Sequence, residues 1–201
     1  MRSTNKEAAR TRARIVAAAA DKFREDGIVA TGLNPLMRAA GLTHGGFYKH
    51  FASKDQLVEE AWAHMAKASL ETIRHATASA PVHERARAFV DAYLSKAHRD
   101  KPATGCGFAA LGPEIGRSEG ALRRATSESY NALVRSFAEL HPGFHGADGL
   151  ARARVMVATM MGALICARAI GDPALSDAIL DGARASLSAE LGSNAEIDRG
   201  V

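Results

Sequence analysis

No segment of this 201-residue chain alternates β-branched and polar residues, and the helix formers Ala, Leu, Arg, Glu and Met recur throughout. Helix is the state in which these residues lose least conformational freedom, and without a period-two pattern no sheet face can form. The chain is therefore expected to be all-α. Turn residues divide it: Asp26-Gly27, Gly41, Pro81, Lys101-Pro102, Gly105 to Gly107, Gly112-Pro113, His141 to Gly149 and Gly171-Asp172-Pro173. The intervals predict helices near 5–26, 33–40, 44–50, 54–79, 82–99, 119–140, 148–170 and 174–191. No internal repeat is visible, and the pattern reads as a small module of short helices followed by a longer helical body.

Charge is informative once it is located. Residues 1–14 carry Arg2, Lys6, Arg10, Arg12 and Arg14 against Glu7, whereas residues 15–201 carry 21 basic and 21 acidic side chains. The net charge of +4 thus resides in the N-terminal arm. Such an arm attracts polyanions, nucleic acid foremost, or simply solubilises the chain. The most apolar stretch, from Val155 to Ala167, is interrupted by Thr159 and Gly162 and is too short to cross a hydrocarbon core of roughly 30 Å. The N-terminus lacks a secretory apolar region, and Cys106 and Cys166 make no disulfide framework. These features lead to the expectation of a cytoplasmic protein with no membrane partner.

The first sixty residues carry the strongest pattern. Ile15, Ala19 and Phe23 recur four apart and give the first helix one apolar stripe, with Arg12, Arg14, Asp21 and Arg24 on its other faces. Leu33, Leu36, Met37 and Ala40 define a second helix, Gly41-Leu42 a turn, and Thr43 stands as the N-cap of a third. Phe47 and Phe51 share that third helix's inner face, so His44, Gly45, Tyr48 and Lys49 turn outward. The result is helix, glycine turn, helix, with a polar, aromatic and basic outer surface.

These residues resemble a known family. Thr11 to Ala19, Phe23, Gly27, Ala30-Thr31, Ala39-Ala40-Gly41-Leu42-Thr43, Gly46-Phe47-Tyr48-Lys49-His50-Phe51 and Ser53-Lys54-Asp55-Gln56-Leu57 are similar to the TetR/AcrR family of bacterial transcriptional regulators. The resemblance covers roughly residues 10–60. It implies an N-terminal three-helix DNA-binding module over residues 1–55, with its helix-turn-helix at about 32–51, and a C-terminal helical domain over 56–201 for effector binding and dimerisation. The implied function is that of a dimeric repressor, released from a palindromic operator by a small-molecule effector. Two alternatives are a thiol-dependent helical enzyme and a nonspecific basic nucleic-acid binder.

Within that reading His44, Gly45 and Gly46 lie nearest the base edges, the two glycines removing side chains that would hold the helix off the groove. Tyr48 and His50 are the family's phosphate donors, Lys49 reaches a base or a phosphate, and Lys54 begins the next helix. Thr31 and Thr43 donate to phosphate, cap their helices, or both. Asn34-Pro35 departs from the family, since proline removes an N–H that would otherwise face phosphate. In the body, the last two helices are apolar on more than one face, and Ala158, Gly162 and Ala163 would let a copy approach closely. The family pairs such helices in a homodimer; the alternative is an ordinary buried core helix within one subunit.

Cys106, in Thr104-Gly105-Cys106-Gly107-Phe108, stands near an expected helix start, where the positive dipole end favours the reactive anion of a thiol. The segment also resembles Gly-Cys elements of family members that sense electrophiles or oxidants; the alternative is a small buried residue. Cys166, within an apolar helix, is expected to pack. His141 and His145 straddle Pro142-Gly143, and no His-Glu-x-x-His, Cys-x-x-Cys, nucleophile-elbow or phosphate-cradle pattern occurs, so neither a metal nor a cofactor is expected.

Overall fold

The computed structural model describes residues 2–197, with side-chain surroundings for 5–192. The Arg2 side chain of the basic arm lies outside the described residues. Among these, all regular structure is helical. The α-helices are α1 (Arg2–Asp26), α2 (Leu33–Ala39), α3 (Lys54–Thr77), α4 (Arg85–Tyr93), α5 (Lys96–Arg99), α6 (Gly107–Gly116), α7 (Gly120–Ala138), α8 (Gly146–Ala169) and α9 (Pro173–Ile197). Short 3-10 turns cover His44–Lys49, Val82–Glu84, Pro102–Thr104 and Pro142–Phe144.

Four sequence expectations change. The helix expected at 44–50 is a 3-10 helix, because two adjacent glycines weaken α-helical propensity and Gly46 N–H instead closes onto the Thr43 carbonyl at 3.0 Å. The helix expected at 82–99 breaks at Ser95, whose hydroxyl accepts the His98 N–H at 3.1 Å and so starts α5. Conversely, the turn expected at Gly112-Pro113 lies inside α6. Pro113 removes one helical donor, but Gly107, Ala109, Leu111 and Ile115 are buried, and that packing outweighs the local preference. Finally, α8 runs for 24 residues and passes the length and apolarity required to cross a membrane, unlike the shorter stretch expected. It buries Met156, Val157, Met160, Met161 and Leu164 as a core helix does.

The chain divides into two compact units, Met1–Ala68 with Pro102–Ser129 and Ser69–Lys101 with Tyr130–Val201. Helix α3, continuous from Lys54 to Thr77, contributes residues to both units. In the first unit Ile15, Ala19, Phe23, Leu36, Met37, Phe47, Phe51, Leu57 and Trp62 form one buried cluster. Each Ile, Leu, Met and Phe among them contributes roughly 1.5–3 kcal/mol on leaving water. The start of α3 is fixed locally: Ser53 Oγ accepts the Gln56 N–H at 3.1 Å, and Gln56 Oε1 accepts the Ala52 N–H at 2.8 Å.

In the second unit Phe137 lies 5.8 Å from Phe89 and 5.5 Å from Phe144 by ring centroids. Arg168 of α8 donates to the carbonyls of His98 at 2.7 Å and Arg99 at 3.1 Å, while Arg99 and Lys96 pair with Asp177 of α9. Burial pushes the His98 imidazole below its ordinary pKa, against the hydrogen bond between its ring nitrogen and the Tyr93 carbonyl.

Candidate nucleic-acid interface

Arg12 holds the short helix 44–49 in place. Its guanidinium donates to the His50 carbonyl, pairs with both Glu60 carboxylate oxygens, and lies 4.2 Å above the Phe51 ring centroid. A two-point carboxylate pair with a cation over an aromatic face fixes direction as well as distance. Arg14 caps the end of α2 by donating to the Ala40 carbonyl at 2.5 Å. Gly41 follows with φ of 71°, a left-handed turn that side-chain-bearing residues seldom adopt, and Leu42 N–H closes onto the Met37 carbonyl at 2.8 Å. Two of the five arm charges are thus spent on the fold, leaving Lys6 and Arg10 exposed on α1.

On this base Phe47 is fully buried and stacks on Phe51 at 5.6 Å. Tyr48 points the other way, 66% exposed, with its ring edge toward Phe47 at 5.1 Å and toward His44 at 6.4 Å. Thr43, His44, Gly45 and Lys49 are exposed beside it, and Gly46 and His50 are half-buried. A Cβ at position 45 would meet nothing within 4 Å, so the backbone there is bare. The structure therefore brings seven of the expected residues, Thr43 to Gly46 and Tyr48 to His50, onto one short surface. Thr43 is the N-cap of the turn, but its side chain makes no capping hydrogen bond.

Thr31 and Lys54 are placed differently. Thr31 is buried and donates its hydroxyl to the Gly27 carbonyl at 2.6 Å, and the N-cap of α2 is Gly32. Lys54 donates its ammonium to the Ile28 carbonyl at 2.6 Å. Both hold the connection between α1 and α2. Arg24, expected on an outer face of α1, is instead buried: it donates to the Ala103 carbonyl and pairs with Asp21 at 2.7 Å. Burial pulls its pKa down, and the charge of Asp21 and its hydrogen bond oppose that.

Cys106 is buried at the N-cap of α6, the helix start expected for it. Cys166 is exposed, contrary to expectation, since position 166 falls on the side of α8 away from its methionines. That side also presents Val155, 63% exposed, and Ile165, 40% exposed. Leu175 of α9 is 50% exposed. Within the second unit an open cleft of about 440 Å³ is lined by Leu70, Ile73, Arg74, Thr77, Arg85 and Leu140. Among the described residues no three His, Cys, Asp or Glu side chains gather as a metal site would require.

Residues 15–61 match the family described as bacterial regulatory proteins, tetR family. The chain is 39% identical over 61 residues to the HTH-type transcriptional regulator AcrR of Shigella flexneri, covering 30% of this chain and 28% of that protein. It is 34% identical over 90 residues to the HTH-type transcriptional repressor Rv3405c of Mycobacterium tuberculosis, covering 40% of this chain and 47% of that protein. The match thus spans less than half the length of either relative. The crystal structure of a TetR transcriptional regulator from Chloroflexus aurantiacus covers far more, 93% of this chain and 96% of its own, with a TM-score of 0.75 and 26% identity. These proteins are all named as transcriptional regulators or repressors. A matching N-terminal segment, an all-helical fold and a structural neighbour along nearly its whole length lead to one conclusion: residues 15–61 of this chain are similar to the tetR family of bacterial regulatory proteins, and the chain as a whole shares the fold of a TetR transcriptional regulator.

Proposed function

We propose that this protein is a cytoplasmic, dimeric, DNA-binding repressor that grips a palindromic operator and is released by a small-molecule effector or by modification of Cys106. The observation that carries this reading is the exposed surface of residues 43–50 mounted on the buried Phe47 and Phe51. His44 and the bare backbone of Gly45 face base edges with half-buried Gly46 beside them, while Thr43, Tyr48, Lys49 and His50 reach the flanking phosphates. Thr31 and Lys54 act from behind by holding the connection ahead of α2. Residues 1–55 supply the DNA contact, and residues 56–201 supply effector binding and dimerisation.

Anisotropy titration against duplex from the protein's own upstream intergenic region and against scrambled duplex, at two salt concentrations, tests the reading. A preference of about 10³-fold or more for the native duplex is expected. His44→Ala is expected to erode that preference, whereas Lys49→Ala weakens both duplexes and lowers the salt slope by about one. Equal binding to both duplexes, with no sequence enriched from random DNA, would leave only nonspecific binding. The bound complex is then challenged with an alkylating agent. Release by the reagent from wild type but not from Cys106→Ser supports the thiol route, and retention in both leaves the ligand route alone.

The exposed apolar face of α8 and α9, with Val155, Gly162, Ile165 and Leu175, supports dimerisation through the last two helices. A dimer places two reading surfaces in successive major grooves, about 34–36 Å apart. Gly162→Glu tests this interface, because position 162 has open space around it and glutamate favours helix over glycine. The variant is expected to sediment as a folded monomer and to lose at least about tenfold in specific affinity. A wild-type monomer with full operator affinity would refute the interface.

A further inference from the structure

Glu114 lies in the last turns of α6, yet its carboxylate serves the segment that leads into α2. Its Oε2 accepts the Val29 backbone N–H at 2.9 Å, across 85 residues of sequence. Its Oε1 occupies the space that a side chain at position 27 would need, since a Cβ built on Gly27 would lie 2.6 Å from it. Gly27 has φ of 87°, so this turn requires glycine on conformational grounds as well.

The Val29 side chain is 85% exposed, so apolar packing does not secure the segment at that point. Polar ties do. Lys54 holds the Ile28 carbonyl, Thr31 holds the Gly27 carbonyl, and Glu114 holds the Val29 N–H. A carboxylate accepting a backbone N–H is among the stronger hydrogen bonds available to a protein. Near the other end of α6, Arg24 of α1 donates to the Ala103 carbonyl just ahead of the helix. Polar ties thus link α1 and the segment following it to chain near both ends of α6.

We propose that Glu114 is a positioning residue for duplex binding: by holding Val29 N–H and filling the space left by Gly27, it sets the angle at which α2 and the 44–49 surface leave α1. This inference rests on the DNA-binding reading above. Without the tie, the segment samples arrangements in which the reading surface is misdirected, and the apparent affinity falls by the fraction that remains competent. Contacts made only to phosphate tolerate such misdirection, so nonspecific binding is spared.

The test uses the full-length protein with Glu114→Leu, which removes the acceptor, and Glu114→Gln, which keeps a carbonyl oxygen in its place. Amide exchange at Val29, the thermal midpoint, and affinities for native and scrambled duplex are measured on each. In Glu114→Leu, Val29 exchange is expected to accelerate at least about tenfold and native-duplex affinity to fall at least about tenfold, with scrambled-duplex affinity changed less than about twofold. Glu114→Gln is expected to stay within about threefold of wild type on every readout. Should Glu114→Leu fail to fold, Glu114→Ala gives the same comparison. Unchanged Val29 exchange or unchanged native-duplex affinity in the folded variant overturns the proposal, as does a Gln variant as defective as Leu. A wild type that prefers no duplex refutes the DNA-binding reading itself, and Val29 exchange in the same variants then shows separately whether the tie exists.

Discussion

Phe47→Ala is expected to lower the unfolding free energy by about 3–5 kcal/mol and to remove sequence-specific duplex binding. Phe47 is fully buried, stacks on Phe51 and meets the edge of Tyr48, in a cluster with Ile15, Leu36 and Met37. Truncation leaves a ring-sized void beneath a six-residue 3-10 turn that has little intrinsic stability of its own. Leu36 and Met37 belong to α2 and Phe51 to the link that leads into α3, and none of them can collapse into the void without moving the surface they carry. Urea unfolding followed by circular dichroism measures the loss, and anisotropy on the still-folded fraction measures binding. A loss below about 1 kcal/mol would mean that the 44–49 turn is held by Arg12 and its partners rather than by the aromatic pair.

Gly149→Ala is expected to cost about 3 kcal/mol, at the upper end for overpacking, and to lower the thermal midpoint accordingly. A Cβ at position 149 would fall 2.3 Å from the Phe144 carbonyl carbon and 2.6 Å from its Cα and oxygen. These are backbone atoms, so no rotamer change relieves the clash. Phe144 is itself buried against Phe137 and His141, and either its turn or the first turn of α8 must shift. The sign is decisive, because alanine favours a helix interior by about 1 kcal/mol over glycine. A stabilised variant would show that α8 does not approach the Pro142–Phe144 turn this closely.

Much of the surface formed by residues 43–50 was legible from spacing. Residues four apart share a helical face, so Phe47 and Phe51 had to point one way and His44 and Tyr48 the other, and the burial follows that division even though the element is 3-10. The stripe of Ile15, Ala19 and Phe23 and the glycine stops at 27 and 41 were equally readable. Charge was less so: Arg12 and Arg14 counted toward a polyanion-seeking arm, while their guanidinium groups bond to His50, Glu60 and Ala40. Glu114 carried no signal as a partner of Val29, because nothing in a linear pattern marks an acceptor 85 residues away.

The sequence by itself determined the helical class, the helix-turn-helix and the direction in which its aromatic residues face, because helix propensity and apolar periodicity act over one or two turns of chain. Tertiary structure alone decided that α6 continues through Pro113, that Cys106 is buried while Cys166 is exposed, and that Arg24, Thr31 and Lys54 serve the fold. Each of those outcomes depends on which polar atoms and apolar faces meet once the helices pack. A long side chain can satisfy its charge in several places, and only the assembled neighbours select one of them.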